Sequence, residues 1–344
     1  MVHITSERLC AVVAEVFVAA GSPEDAAREV ASSLVEANLM GHDSHGVMRA
    51  GFYVDAILDG RLDPRGKLTV VRESATTALL DGGRNFGPVT ARRAMDCAIT
   101  KARTHDLGMV AVRNCGHTGR LGQYAVQAAR QGFMGMVFSI GSVKGGTVAP
   151  YLGTGRTLNT NPIAWAVPAA THAPVFLDYA TSVVAQGKIQ DAVDKGARIP
   201  QGWLLDAQGN PTTDPSEQMR GGVMLPFGGH KGYCLSFLIE VLSGGLTGVG
   251  CSALPNFVPD FPTVMLAMNI AAFQPLDEFR RMVDELISVT KAGRKTPGVE
   301  EILVPGEPEW RRRQARLHEG LDIPKATWQR IVEAGAKCGL AVSP

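Results

Sequence analysis

The spacing of the strand-like segments is the feature that most constrains the fold. Two short apolar runs, 163–167 and 175–177, are separated only by a loop of Pro, Ala, Thr and His residues. Parallel neighbours need a crossover of a dozen or more residues, whereas antiparallel neighbours can be joined directly. The two runs are therefore predicted to be antiparallel neighbours in one sheet.

The other apolar runs do not alternate regularly with helices. They lie at 68–71, 108–112, 134–140 and 264–270. Helical patterns fall between some of them, at 89–104, 121–130, 182–193 and 233–246. Regular alternation would favour a parallel sheet. We expect an α/β fold with a mixed, mainly antiparallel sheet.

Both ends of the chain have helical patterns. Apolar periodicity covers 22–40 and 47–58 near the start, and 276–291, 309–317 and 325–335 after Gln274. A sheet-rich centre between helical ends predicts two domains. Residues 1–65 and 275–344 would form a discontinuous helical domain, and 66–274 a sheet-rich domain that binds cofactor and substrate.

Composition excludes several classes of protein. With 34 Lys and Arg against 33 Asp and Glu, the net charge of +1 attracts neither nucleic acid nor an anionic membrane. No apolar run approaches the roughly 18 residues of a membrane span. The six cysteines form no C-x-x-C pair, which favours reduced thiols and predicts a cytoplasmic protein.

The 39 glycines suggest tight turns around a ligand, but no standard nucleotide loop is present. The nearest match to G-x-G-x-x-G/A, at 248–253, follows a helical pattern, whereas the dinucleotide loop follows a strand. The P-loop motif and the G-x-S-x-G nucleophile elbow are both missing from the sequence.

His42 and His45, with Asp43 between them, could present metal ligands. No H-E-x-x-H motif or cysteine pair completes a zinc set, so polar capping between two helices is the favoured interpretation. A zinc hydrolase is a distant alternative.

A loop around His117 is a candidate acid/base site. The run Asn114–Arg120 lies between a predicted strand and a predicted helix, where free backbone N–H groups, a hydroxyl and an imidazole can meet. Histidine is suited to proton transfer near neutral pH. The alternative, a loop histidine that caps the helix, carries equal weight on this segment alone.

A second candidate cluster contains Ser44, His45, Arg49 and Tyr53. Arg49 and Tyr53 are four residues apart and share one helix face. Arginine can bind a carboxylate through two parallel hydrogen bonds. Two histidines, an arginine and a tyrosine would suffice for acid/base chemistry on a small organic acid. A purely structural role carries equal weight on these residues alone.

A third loop places Lys231 among glycines directly before an apolar helix. A lysine there can reach a phosphate or a carboxylate. The glycines could equally serve only a tight turn.

Seven stretches, in order along nearly the whole chain, resemble the type 2 malate/L-lactate dehydrogenase family, which includes ureidoglycolate and L-sulfolactate dehydrogenases, diketogulonate reductases and piperideine/pyrroline-2-carboxylate reductases. The stretches are GHDSHGVMR (41–49), NCGHTGRLGQYA (114–125), NTNPIAWAVP (159–168), LDYATSVVAQGKI (177–189), IPQGWLLDAQGNPTTDP (199–215), PFGGHKGYCLSFLIEVLSGGLTG (226–248) and VPGEPEWR (304–311).

The resemblance implies a cofactor domain that is not of the Rossmann type, a helical domain built from both chain ends, and a homodimer with its active site near the subunit boundary. It also implies hydride transfer between NAD or NADP and a small 2-oxo/2-hydroxy acid or a cyclic imino acid. The alternative is a catalytically idle dimer of the same fold that binds a dinucleotide.

The resemblance assigns roles to matching positions. The catalytic set would be His117, His45, Ser44 and Asp178, with His117 as the first choice for the acid/base. Arg49, Tyr53 and Lys231 would bind the substrate. Cofactor contacts would come from His117, Thr118, Gly119, Thr160, Leu177, Asp178, Tyr179, Lys231, Gly306, Glu307 and Arg311.

The segment 141–146 is expected near the adenosine ribose. A carboxylate at that position favours NAD and a basic residue favours NADP. Lys144 and the lack of an acidic residue there favour NADP slightly.

Overall fold

A computed structural model describes residues 1–344. Its main element is a seven-stranded sheet with the order β2-β3-β4-β11-β5-β6-β7. These strands are β2 (Thr69–Glu73), β3 (Thr77–Asp81), β4 (Leu107–Arg113), β5 (Phe133–Ser139), β6 (Ile163–Val167), β7 (Val175–Tyr179) and β11 (Thr263–Asn269). Only β3 and β4 pair in parallel. The predicted mainly antiparallel sheet is confirmed.

The hairpin of β6 and β7 has the predicted antiparallel pairing, with Ile163 opposite Tyr179 and Val167 opposite Val175. Because successive residues of a strand face opposite sides, Phe176 and Asp178 share one face of the sheet and Leu177 and Tyr179 the other. This alternation separates side chains that are adjacent in the sequence.

The chain also contains ten α-helices. They are α1 (Ser6–Ala19), α2 (Glu24–Leu39), α3 (Ala50–Leu58), α4 (Gly87–His105), α5 (Gly122–Arg130), α6 (Gln186–Asp194), α7 (His230–Ile239), α8 (Leu276–Lys291), α9 (Glu307–Glu319) and α10 (Lys325–Lys337). None combines the length and the hydropathy that a membrane crossing requires.

Small residues let α4 and α5 approach the sheet closely. A Cβ on Gly108 of β4 would lie 1.9 Å from the carbonyl oxygen of Ala98, and one on Gly135 of β5 would lie 2.5 Å from that of Ala125. The alanine-rich faces of both helices complete this core. The loop after β4, which carries His117, is held next to the start of α4 by the Gly116 N–H, which donates to the Asn85 carbonyl oxygen (2.9 Å).

A second core joins the two ends of the chain. Strands β1 (Val2–Ile4) and β12 (Leu321–Ile323) pair antiparallel, and Leu9, Phe17 and Tyr53 share a buried cluster with Trp328 and Ile331. Each such side chain stabilises the fold by about 1.5–3 kcal/mol when fully buried. The domain boundaries at 65/66 and 274/275 stay a prediction.

Three departures from the predicted elements have identifiable causes. The helix predicted from 182 begins at Gln186, because Thr181 donates its N–H to the Thr160 carbonyl (2.8 Å) and Ser182 bridges to Pro226. Strand β3 was not predicted, since its five residues show little alternation and are held by parallel pairing to β4. A second sheet, of three strands, was not predicted because each of its strands has only two residues. Its strands are β8 (Leu204–Leu205), β9 (Pro211–Thr212) and β10 (Val223–Met224).

Candidate active site

Ser44, His45 and Arg49 lie on two short 3-10 turns, Asp43–His45 and Val47–Arg49, which directly precede α3. Asn38 holds them in place. Its Oδ1 accepts the Val47 N–H (2.8 Å) and its Nδ2 donates to Asp43 (2.7 Å). A Cβ on Gly46 would lie 2.2 Å from Asn38 Oδ1, so this turn needs a glycine at that position.

The His117 loop is anchored from the opposite side. Asp260 accepts the backbone N–H groups of Asn114 and Cys115. Gly87, at the start of α4, packs so tightly that a Cβ there would lie 2.2 Å from the His117 carbonyl oxygen. Phe261 lies edge-on to the His117 ring, with ring centroids 5.2 Å apart. The imidazole is thereby held in a defined position.

The two segments meet at the histidines, as the candidate site requires. The rings of His45 and His117 stack with centroids 5.6 Å apart at 15°. Tyr53 Oη lies 2.8 Å from His117 Nδ1 and 3.1 Å from the His117 carbonyl oxygen. Ser44 Oγ lies 3.0 Å from His45 Nδ1. Four of the sequence-predicted residues thus form two hydrogen-bonded pairs that meet at the stacked rings.

Burial keeps the imidazoles of this cluster neutral. Desolvation, followed by the positive charge of Arg49, lowers the pKa of His45 to about 3. The same two causes, in the same order, hold the pKa of His117 well below its usual value. Burial also raises the pKa of Tyr53, so its hydroxyl stays protonated. Near neutral pH the cluster contains two uncharged bases.

Arg49 is the cationic group of the cluster. Its Nε donates to the Ser44 carbonyl oxygen (2.8 Å), and no carboxylate of the chain lies within 4 Å of its guanidinium. The terminal nitrogens of Arg49 are therefore available for an anionic group brought in by a ligand.

Asp178 lies away from the imidazoles' hydrogen bonds. Its carboxylate accepts one hydrogen bond, from the Gly122 N–H at the start of α5 (2.7 Å). Burial raises its pKa, and Arg120 acts in the opposite direction. The carboxylate fixes α5 against β7, so its contacts in this structure are those of a positioning residue.

Two of the predicted cofactor residues, Tyr179 of β7 and Lys231 of α7, are more exposed to solvent than the histidine cluster. Tyr179 packs edge-on against Phe227, with ring centroids 5.5 Å apart, on the same sheet face as Leu177. Lys231, in the first turn of α7, is exposed and forms no ion pair within the chain. Thr160 bonds through its backbone carbonyl to Thr181.

Thr118 and Gly119 serve the backbone of the His117 loop. The Thr118 carbonyl oxygen accepts the hydroxyl of Tyr124 (2.6 Å), and Gly119 has a φ of +73°.

The last predicted group surrounds the start of α9. Gly306 has a φ of +85°, and a Cβ there would lie 2.5 Å from the Phe176 ring. Glu307 pairs with Lys291 (2.6 Å), and Arg311 pairs with both Glu307 and Glu301. The charged side chains in this group are thus already paired with one another.

His42 does not share a partner with His45. Its Nε2 lies 3.7 Å from a Glu309 oxygen, whereas His45 contacts Ser44. No three His, Cys, Asp or Glu side chains of the chain are grouped closely enough to hold one metal ion.

Sequence reasoning missed a buried polar network next to β6. Glu240 begins a π-helical segment and accepts hydrogen bonds from Asn161 Nδ2 (3.0 Å) and from both the N–H and the hydroxyl of Ser252 (2.8 Å each). Asn159 Nδ2 donates to the carbonyl oxygens of Gly141 and Val143 (3.0 Å each). A carboxylate inside an apolar helical run was the only available signal.

The segment 248–253, the weak dinucleotide-loop candidate, belongs to this network and follows helical turns. Lys144 donates to the Pro255 carbonyl oxygen (2.7 Å). The network thus holds the loop 141–146 against 252–255.

Comparisons with known proteins identify the family of the chain. Residues 4–332 match the family model for malate/L-lactate dehydrogenase. The chain is 39% identical to a malate dehydrogenase of Pyrococcus abyssi, covering 98% of this chain and 96% of the relative. It is 37% identical to an L-sulfolactate dehydrogenase of Methanothermobacter thermautotrophicus, covering 96% and 95%.

A solved malate dehydrogenase of Entamoeba histolytica superposes with a TM-score of 0.92 at 30% identity, covering 100% of this chain and 99% of that one. The predicted resemblance is confirmed. The chain belongs to the malate/L-lactate dehydrogenase family and, with it, to the hydride-transferring oxidoreductases of small hydroxy and oxo acids.

Proposed function

We propose that the protein transfers a hydride between NAD or NADP and a small 2-hydroxy or 2-oxo acid, at the cluster of Ser44, His45, Arg49, Tyr53 and His117. The observation that carries the proposal is the unpaired guanidinium of Arg49 beside two neutral imidazoles. A guanidinium binds a carboxylate through two parallel hydrogen bonds. An acid held there would present its C2 oxygen to a histidine.

The hydrogen bonds of Tyr53 select the tautomer of His117. A hydroxyl has one proton, and when Tyr53 donates it to the His117 carbonyl oxygen, Nδ1 must carry a proton and donate to Tyr53 Oη. The Nε2 lone pair is then free. We assign Nε2 of His117 as the proton acceptor during oxidation, and as the donor during reduction.

The reaction balances with these groups. During oxidation the substrate hydroxyl gives its proton to Nε2, the C2–H bond is broken as a hydride leaves with both electrons, and a carbonyl forms. A nicotinamide cofactor, when bound, would supply the hydride acceptor for oxidation and the hydride donor for reduction. Arg49 holds the carboxylate, and Ser44 orients His45 or the substrate.

The open face beside Tyr179 and Lys231 fits a dinucleotide. The Lys231 ammonium has no carboxylate partner and stands at the start of α7, where backbone N–H groups also favour an anion. The loop 141–146 contains Gly145 and Gly146 at positive φ, which lets backbone approach a ligand closely. Lys144 favours NADP, although its bond to Pro255 already occupies it.

A homodimer is proposed on the exposed side of α7. Phe237 and Leu238 of α7, and Val241 of the π-helical segment that follows it, are about half exposed or more, one to three turns beyond Lys231. A partner seated there would place the subunit boundary near the cofactor. Light scattering should give twice the chain mass, and Leu238→Glu should shift it toward the monomer.

The decisive experiment is a substrate panel. NADH and NADPH oxidation would be followed with pyruvate, oxaloacetate, sulfopyruvate and piperideine-2-carboxylate, with His117→Gln as the control. We expect turnover with at least one acid and loss of it in the variant. Tight dinucleotide binding without turnover on any acid would instead favour the catalytically idle dimer.

A further inference from the structure

A groove of about 370 Å³ lies between α2, α5 and α9, outside the candidate active site. Four arginines line it, whereas Glu36 is its only carboxylate. The arginines are Arg92, Arg120, Arg130 and Arg313. None of Ser44, His45, Arg49, Tyr53 and His117 lines the groove.

Arg120 is the most buried of the four, with 4% of its surface exposed. Its Nε and Nη1 are buried and donate to no acceptor in the protein. The guanidinium lies 5.6 Å over the Phe176 ring, and the nearby Asp178 carboxylate accepts its hydrogen bond from Gly122 instead. A buried guanidinium without a hydrogen-bonded anion is strongly unfavourable.

The other charges leave the groove positive. Arg92 pairs with Glu29 and Arg313 with Glu36, each at 2.9 Å. Arg130 stacks 5.7 Å over the Trp310 ring and has no carboxylate within ion-pair distance. Arg120 and Arg130 are therefore the two guanidinium groups of the groove that have no carboxylate within 4 Å, although the more distant Asp178 carboxylate partly offsets the charge of Arg120.

Neutral hydrogen-bonding groups complete the lining. Ser33 Oγ donates to Gln123 Oε1 (3.0 Å), and Gln123 Nε2 lies 2.8 Å from the same hydroxyl. A hydroxyl and an amide beside unpaired guanidinium groups form a donor set suited to the oxygens of a phosphate or a carboxylate.

We propose that this groove binds a small oxyanion of phosphate or carboxylate type, with Arg120 and Arg130 as its ligands, at a site separate from the reaction centre. The bound anion would supply the acceptors that Arg120 lacks. The site does not depend on the proposed reaction, because Arg49 and His117 lie outside it.

Isothermal titration in a zwitterionic buffer tests the proposal with inorganic phosphate and with citrate as probes. We expect saturable binding of at least one of them to the full chain. Arg120→Met should weaken it by about tenfold or more, the usual size of a lost charged hydrogen bond. Arg130→Gln, at the exposed rim, keeps the test valid if Arg120→Met fails to fold, and should weaken binding by about threefold or more.

Arg281→Gln is the matched control, since Arg281 is exposed on α8 and does not line the groove. Preference for phosphate or for citrate identifies the ligand class, and either supports the site. Lack of saturable binding by both probes, or equal binding by the Arg130→Gln variant and the wild type, would overturn it. Competition between the probe and NADH or NADPH would also overturn it, by assigning the groove to the cofactor.

Discussion

The proposed reaction centre and the residues proposed to bind the cofactor differ in how many of their polar groups are hydrogen-bonded within the chain. Tyr53 is buried and hydrogen-bonded to His117, and Ser44 to His45. Tyr179 and Lys231 are exposed, and neither forms a hydrogen bond through its side chain. If the proposed roles hold, the difference indicates that the proposed catalytic cluster is organised before ligand binds and that a bound cofactor or a partner subunit would complete the neighbouring surface.

The largest loss of activity is expected from a substitution of His117 in the proposed catalytic cluster. Replacing His117 with Gln removes the proton acceptor and should lower kcat by about 10²- to 10⁴-fold. Dinucleotide binding, measured by fluorescence titration, should stay close to wild type. A His117→Gln enzyme with normal turnover would transfer the acid/base role to another group, with His45 next in rank.

Arg49→Gln should follow in size. The loss of a charge-assisted carboxylate contact costs about 1.5–3 kcal/mol, or roughly 10- to 100-fold in kcat/KM for the acid. The KM for the dinucleotide should not change. Arg49→Lys keeps the charge without the paired geometry and should recover only part of the loss. Full activity in Arg49→Gln would show that the carboxylate binds elsewhere.

Tyr53→Phe tests whether the Tyr53 hydroxyl selects the His117 tautomer that has its proton on Nδ1. Without the hydroxyl, Nδ1 loses its partner and both tautomers become populated, so kcat should fall by about tenfold or less. Thermal unfolding of the variant, measured in parallel, distinguishes this loss of kcat from a loss of stability caused by poorer packing in the helical core. An unchanged kcat in a stably folded variant would mean that Tyr53 only packs against Phe17 and Phe86.

Lys231→Gln probes the open side. Because the ammonium is exposed and screened by salt, the Kd for the dinucleotide should rise by only about two- to fivefold, with less effect at high ionic strength. The kcat at saturating cofactor should stay the same. A large kcat loss would instead place Lys231 in the reacting cluster and remove the contrast between the two regions.

The smallest expected effect is the pH response of hydroxy-acid oxidation. The pKa of His45 is about 3, and the pKa of His117 lies below the usual imidazole value. Both imidazoles are therefore already deprotonated near neutral pH. The kcat/KM, which reports the free enzyme, should therefore change less than about twofold from about pH 6 to pH 8. A fall on acidification through about pH 6.5 would mean that His117 has an ordinary pKa.

Much of the fold could be predicted because its signals are local. The bare loop between 163–167 and 175–177 predicted the β6–β7 hairpin, and the apolar periodicity of 276–291 gave the bounds of α8. Strand β11 was recognised as a strand, but its central place between β4 and β5 was not. That place depends on pairing with residues about 125 to 160 positions earlier in the sequence, which no local pattern encodes.

The sequence predicted which residue types form the candidate site, but not how their side chains are arranged in space. The residues Leu177, Asp178 and Tyr179 were assigned together, yet the strand puts Asp178 on the face opposite the other two. Asn38, Asp260 and Glu240 were missed because each acts on residues distant in the sequence or on backbone groups. Such supporting roles become visible only once the partners are in place.

The sequence by itself determined the family, the antiparallel character of the sheet and the residues with the chemistry for proton transfer and carboxylate binding, because motifs and periodicity are properties of neighbouring residues. Only the tertiary structure decided that His45 and His117 stack, that both are neutral and that Tyr53 bonds to His117. It also decided that Arg120, three residues from His117, lines a different groove. Desolvation and side-chain geometry depend on contacts between distant segments, and the same residue type takes a different charge state or partner in each environment.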